Sequence, residues 1–269
     1  MPDPLSLTFI GNATVLLRWG PFTVLTDPNF LHAGQRAHLG YGLRTERLLE
    51  PALQPDELPE LSAVVLSHLH GDHWDRVAAA SLDRSLPILT TPHASRRLQG
   101  VQGFRRALGL QPWESHTLVE GHSTLKLTAL PGVHGPRLLS RLLPPVMGSL
   151  IELGDTTGEV AQRVYLTGDT LMHEEIHEIA RRCPDVDLAV VHLGGTTIPG
   201  GVVVTMDGRQ GADLLEVVRP RQAVPVHYDD YSVMRSPLSD FTDEMERRGL
   251  GEMVHRVGRG ETATFGVGA

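Results

Sequence analysis

Leu66-Ser67-His68-Leu69-His70-Gly71-Asp72-His73-Trp74-Asp75 is the stretch on which the reading of this chain turns. It follows the apolar run Ala63-Val64-Val65-Leu66, which reads as a buried strand. The polar cluster therefore starts where that strand ends. Residues two apart in an extended segment point the same way, so His68 and His70 can reach one cation together. Gly71 lets the chain turn, and Asp72 and His73 can then face a second cation beside the first. A helical metal motif would space its histidines four apart instead. Imidazole and carboxylate suit zinc, iron or manganese, and the cluster offers no thiolate. A solvated polar loop is the alternative, but three histidines and an aspartate in this register argue for metal.

The H-x-H-x-D-H spacing of His68, His70, Asp72 and His73 resembles the signature of the metallo-β-lactamase superfamily. Towards the N-terminus, residues 5–10, 14–19 and 22–26 read as three short strands of an antiparallel meander, punctuated by Gly11-Asn12 and Gly20-Pro21. The phrases Gly11-Asn12-Ala13-Thr14-Val15-Leu16-Leu17 and Leu25-Thr26-Asp27-Pro28 resemble the opening of one branch, which includes ascorbate-phosphate lactonases and N-acyl-phosphatidylethanolamine phospholipase D enzymes. That resemblance implies that Asp27 braces the metal loop without binding metal itself. Residues 29–59 show no clean period and suggest a lid or binding loop; His32 and His38 stay unassigned.

Beyond the cluster, helices are expected over residues 74–81 and 92–98 and strands over 87–91 and 124–130. The last runs into Pro131-Gly132-Val133-His134, matching the superfamily's third histidine; His116 and His122 are rivals that precede the strand. Residues 137–145 read as a short helix or an apolar flap. Strands over 147–153 and 163–167 lead to Thr167-Gly168-Asp169-Thr170, which matches the next superfamily motif. The strand 186–193 contains His192, either a substrate contact or a core histidine. Asp207 has the chemistry of a helix N-cap. The strand 223–226 delivers His227 in Pro225-Val226-His227-Tyr228-Asp229-Asp230-Tyr231, resembling the final ligand motif. A helix over 238–248 and a hairpin of strands 252–257 and 262–267 close the chain.

Composition bounds the rest. The 269 residues are 41% hydrophobic and 21% charged, ordinary for a globular protein. A net charge of −8 argues against nucleic acid. The single cysteine, Cys183, precludes an internal disulfide and fits a reducing compartment. No apolar run approaches the length of a membrane span, and no leader pattern opens the chain, so the expectation is a cytoplasmic protein without stable membrane insertion. No repeat or linker divides it, so one domain over residues 1–269 is expected; homo-oligomerisation stays open.

By the resemblance, the fold is α+β: an αβ/βα sandwich of two facing mixed sheets with helices outside. Two divalent ions are implied, zinc before manganese. His68, His70 and His134 would hold one; Asp72, His73 and His227 the other; Asp169 would bridge. Asp72 and Asp169 are the catalytic candidates. His173, His192, Tyr228 and Arg235 are candidate substrate contacts. The implied activity is hydrolysis of a lactone or other small-molecule ester. A phosphodiesterase is the alternative, and it would need arginines such as Arg137, Arg141 or Arg235 at the metals. A non-catalytic metal-binding or sensing protein ranks third.

Overall fold

The first strands form because apolar and β-branched residues alternate towards a common face: Leu5, Leu7 and Phe9 of β1 (Leu5–Gly11) point into the core. β2 (Thr14–Trp19) and β3 (Phe22–Thr26) complete the antiparallel meander. The chain is described from a computed structural model covering residues 4–40, 42–136 and 143–266. The irregular segment expected over 29–59 contains an antiparallel hairpin, β4 (Arg36–Gly40) and β5 (Leu43–Glu46). Its strands are short and half polar, with only Ala37, Leu39 and Thr45 of them buried, so the period is too brief to read.

β6 (Ala63–Val65) lies parallel to β3, and its end carries the metal loop. α1 (Arg76–Ser81) starts two residues later than expected because Asp75 is its N-cap, accepting from the Ala78 amide. β7 (Ile88–Thr90), α2 (Pro92–Gln102) and β8 (Ala107–Gly109) follow. Thr91 caps α2, Pro92 occupies its first turn and Gly103, at φ 78°, ends it.

The second sheet begins with β9 (Ser115–Glu120), β10 (Ser123–Pro131), β11 (Met147–Asp155) and β12 (Val160–Leu166), all antiparallel neighbours. After α3 (Glu175–Arg182), β13 (Leu188–His192) joins parallel to β12. A two-residue hairpin, β14 (Thr197–Ile198) and β15 (Val202–Val203), precedes α4 (Gly208–Val218), β16 (Gln222–Val226) and α5 (Leu238–Arg247). The expected C-terminal hairpin is not formed. Residues 251–253 make a 3-10 turn, Val254 bridges only to Ala223, and β17 (Thr262–Phe265) crosses to the first sheet, antiparallel to β1. That strand therefore satisfies the edge of β1 instead of pairing locally.

The first sheet runs β17-β1-β2-β3-β6-β7-β8 and the second β16-β13-β12-β11-β10-β9; both mix parallel and antiparallel pairs. Their facing sides share one apolar core, in which Leu7, Phe9 and Leu17 meet Leu127, Ile151 and Val164. α1 and α2 cover the outer face of the first sheet through Ala78, Ala94 and Leu98. α3, α4 and α5 cover the second through Ile179, Leu215 and Phe241, with Cys183 buried among them. This is the expected αβ/βα sandwich. The described residues contain no helix long and apolar enough to cross a membrane. The expectation for residues 137–142 lies outside the described residues.

Candidate metal centre

Strand ends deliver the site. Asp27 follows β3, the His68 to His73 loop follows β6, His134 follows β10, Asp169 follows β12, and His227 follows β16. All of these side chains are buried. His68, His70 and His134 form one group. His70 Nδ1 lies 2.9 Å from His68 Nε2 and 3.2 Å from His134 Nε2. Nitrogens bound tetrahedrally to one zinc would stand about 3.3 Å apart. Burial pushes the His68, His70 and His134 imidazoles below their ordinary pKa, His70 to about 3, so all three present neutral lone pairs.

Asp72, His73, Asp169 and His227 form the second group. His73 Nε2 is 3.3 Å from Asp169 Oδ2, and His227 Nε2 is 3.6 Å from Asp72 Oδ2. Burial alone would lower the pKa of His73. The carboxylates of Asp169, Asp27 and Asp72 outweigh it and raise that pKa well above the ordinary value. This pocket of charge favours positive charge at its centre, which a divalent ion would supply. The two groups adjoin, with the His68 and His73 rings 4.3 Å apart.

The outer atoms fix how each ring is turned. Nδ1 of His134 donates to the Val204 carbonyl at 2.9 Å, and Nδ1 of His227 donates to the Leu193 carbonyl at 3.0 Å. Carbonyls only accept, so each Nε2 carries a lone pair directed at the cluster. Nδ1 of His73 faces Asp27 Oδ2 at 3.0 Å. Asp27 also accepts from the backbone amide of Ser67 at 2.7 Å and its hydroxyl at 2.9 Å. Burial would raise its pKa, but the charge of His73 and hydrogen bonding to His192 and His73 bring it down to about 2. Asp169 is oriented by the Thr205 hydroxyl, 2.9 Å from Oδ2. On the inner side, His73 Nε2, His227 Nε2, Asp72 Oδ1 and Asp169 Oδ1 are buried with no hydrogen-bond partner. Each such atom costs about 1–3 kcal/mol if left unsatisfied. The donor set and these orphaned atoms fit metal ions. His227 and Asp27 are held at φ 60° and 35°, backbone strain of the kind concentrated at functional sites.

A buried polar frame supports the loop, and the sequence reading missed most of it. Asn12 Nδ2 donates to the Asp72 carbonyl at 2.6 Å, and Asn29 Nδ2 to the Gly71 carbonyl at 3.1 Å. Gly71 must be glycine, since a Cβ there would stand 2.7 Å from the backbone nitrogen of His38. Behind the loop, Arg47 and Asp230 pair at 3.1 Å with both side chains fully buried. Arg47 also donates to the Asn29 carbonyl at 3.0 Å, Asp230 accepts from the Asn12 amide at 2.7 Å, and Arg259 joins Asp230 at 3.0 Å. The Gly11-Asn12 phrase was a usable signal for Asn12. Arg47 carries none, because its partner lies far away in sequence.

A cavity of about 190 Å³ opens on the cluster. His70, Asp72, His134 and Asp169 form its polar floor; Leu39, Leu43, Leu143, Ile198 and Val204 form apolar walls. The walls come largely from the two small hairpins that sequence periodicity did not reveal. The four candidate substrate contacts are not on this wall. His192 sits behind the ligands, 3.4 Å from Asp27 and stacked on His73. His173 is partly buried, 3.9 Å from Glu175. Tyr228 is partly buried and stacks on Phe9, and the Arg235 side chain is exposed.

Residues 23–228 match the family described as the beta-lactamase superfamily domain. The chain is 28% identical to a metal-dependent hydrolase of Deinococcus radiodurans over 91% of this chain and 94% of that one. It is also 28% identical to one of Carboxydothermus hydrogenoformans, over 96% and 98%. Among solved structures, an isothiocyanate hydrolase from Delia radicum gut bacteria superposes with TM-score 0.82, at 21% identity over 97% of this chain and 99% of that one. A possible metal-dependent hydrolase from Veillonella parvula superposes with TM-score 0.78, at 24% identity over 98% and 100%. With the sandwich fold and the order of its His and Asp residues, these matches establish that the chain belongs to the beta-lactamase superfamily domain family of metallo-β-lactamase-fold hydrolases.

Proposed function

We propose that the chain, a metal-dependent hydrolase by family, cleaves a lactone or another small, largely apolar ester. The observation that carries this reading is the apolar wall of the cavity over the cluster, formed by Leu39, Leu43, Leu143, Ile198 and Val204. Its volume of about 190 Å³ exceeds the ~150 Å³ known to hold benzene, so an acyl group or ring of that size fits. A phosphodiester is the second reading: it is charged and would favour a cationic wall, whereas the described wall is apolar and Arg137 and Arg141 lie outside the described residues.

In this reading His68, His70 and His134 hold one ion and Asp72, His73 and His227 the other, with Asp169 between them. Zinc suits the donors best, and manganese is second. Two divalent ions there would lower the pKa of a water and polarise a carbonyl. Asp72 lines the cavity with a buried, unpaired Oδ1, placed to take the proton of the attacking water and return it to the leaving oxygen. Thr205 fixes Asp169, so its carboxylate does not reorient as charge develops. Leu39, Leu43 and Ile198 hold the organic group and exclude bulk water.

The test is metal content by mass spectrometry, with hydrolysis of a γ-lactone, an aryl ester, an isothiocyanate and bis(p-nitrophenyl) phosphate, in wild type and Asp169→Ala. The isothiocyanate is included because it is another small, neutral electrophile. About two metal equivalents and lactone or ester turnover lost in the variant are expected. Preferred turnover of the phosphodiester would overturn the ester reading, and absence of bound metal after loading would overturn the site.

A further inference from the structure

Four of the five cluster histidines have an outer partner for the nitrogen turned away from the cluster: Ser67 for His68, Asp27 for His73, Val204 for His134 and Leu193 for His227. His70 is the exception. Its Nδ1 faces the trio, and its Nε2 is buried with no partner. His70 also borders a second cleft, of about 470 Å³, which takes Arg36, Ala37, His38 and Gly40 from β4 where the apolar cavity takes Leu39.

The chemistry of this cleft differs from that of the cavity. Arg36, Arg76, Arg97, His38 and His93 line it. Arg36 has Glu46 at 3.9 Å, whereas Arg76 and Arg97 pair with no carboxylate among the described residues. His93 Nδ1 is buried and unpartnered, and after burial the charges of Arg97 and Arg96 hold its ring towards the neutral form. One carboxylate borders the cleft, that of Asp75. It is already occupied, with Oδ2 accepting from the Phe30 and Leu31 amides and Oδ1 from Ala78. The cleft thus combines unneutralised guanidinium groups with two imidazoles, each of which has one buried nitrogen without a partner.

We propose that this cleft is a second ligand site, for a small oxyanion: a carboxylate or a phosphate-like group. Arg76 and Arg97 supply the charge, His93 supplies a donor or acceptor by its tautomer, and His70 Nε2–H donates to the anion. The anion then becomes the missing outer partner of His70. Partners of that kind set the basicity and orientation of a metal-bound imidazole, and losing one typically changes metal affinity about 10–100-fold. Occupancy of the cleft is therefore coupled to the metal centre without entering the apolar cavity. Only this coupling rests on the metal-centre reading; anion binding itself does not.

The experiment is calorimetric titration of sulfate, and of acetate in parallel, into zinc-loaded protein at constant ionic strength. Wild type is compared with the Arg76→Ala/Arg97→Ala double variant, whose folding is checked by thermal melting. Both arginines are exposed, so the fold should survive. Binding to wild type and at least about tenfold weaker binding to the variant are expected, since two charge-assisted bonds are removed. Tighter sulfate would assign a phosphate-like ligand, and tighter acetate a carboxylate. The visible bands of cobalt-substituted wild type should shift on anion addition, and those of the variant should not. Equal binding by both proteins would place the anion at the metals and overturn the proposal, as would no binding of either anion to wild type. Metal content is measured on the same samples, so the metal reading and the anion site can fail separately.

Discussion

Removing Asp230 should damage this protein more than removing Arg47, although the two form one ion pair. Asp230 receives four donors: the Asn12 amide at 2.7 Å, Arg47 at 3.1 Å, and both terminal nitrogens of Arg259 at 3.0 and 3.1 Å. Asp230→Ala would leave the fully buried Arg47 guanidinium without its only carboxylate among the described residues. Uncompensated buried charges of this kind cost about 3–5 kcal/mol. Arg47→Ala leaves Asp230 still paired with Arg259 and Asn12, so the loss should sit at the low end, about 3 kcal/mol. Guanidinium unfolding of the metal-loaded variants measures both. Because Asn12 and Asn29 carry this frame to the carbonyls of Asp72 and Gly71, zinc affinity in a chelator competition should fall in the same order. Losses below about 1 kcal/mol in both variants, or the reverse order, would refute the claim that this pair holds the metal loop.

Stripping the metals with a chelator should lower the melting temperature by about 5–10 °C, since a ligand present at 100 times its Kd contributes about 2.7 kcal/mol; an unchanged melt would show that the cluster is satisfied without ions. Gly71→Ala forces a Cβ to within 2.7 and 2.8 Å of backbone atoms of His38, and the loop must move. About 1–3 kcal/mol of stability and much of the bound metal should be lost, whereas full metal occupancy in the variant would argue otherwise. The partly buried clasp at the end of α5 gives a pH prediction. Hydrogen bonds from Arg247 and Arg248 depress the Glu244 pKa from 4.5 to about 2. A depressed carboxyl stabilises the fold above its unfolded value, so the contribution is intact above pH 4.5 and fades as pH falls through about 2. An NMR titration of the Glu244 side chain should find its midpoint near 2; a midpoint near 4.5 would mean the arginines do not hold it in solution.

What could be read from the chain was chemistry placed at strand ends. His68, His70, Asp72 and His73 lie within six residues, and the alternating run before His134 and the short apolar runs before Asp169 and His227 announce strands. The sandwich follows from strands buried on one face and helices that cover the other. The walls of the cavity were not readable. Leu39 and Leu43 sit in strands of five and four residues with polar neighbours, and Ile198 in a strand of two. Segments that short carry no period. The supporting frame was hidden for another reason: Arg47 meets Asp230 across 183 residues of sequence. Only the folded chain makes a lone arginine and an aspartate beside a ligand histidine into one unit. The C-terminal strand was misplaced because local hairpin pairing competes with an open sheet edge, and the edge of β1 won. Arg235, a candidate contact for its charge, is exposed and off the cavity wall, because sequence alone does not say which way a loop turns a side chain.

The division of ligands between the sheets has a consequence for how the molecule assembles. The β6 loop holds four of the seven candidate donors within six residues, so once β6 has paired with β3 it would offer a cation four groups without help from the second sheet. The other three donors arrive only when the second sheet docks, from strands β10, β12 and β16. A metal captured early would lie at the seam and reward each correct closure with another bond. It would also penalise a register slip in any of those strands, because a shift by one residue turns a strand's side chains to the opposite face. Refolding with zinc present should therefore differ from refolding without it mainly in the late step that joins the two halves.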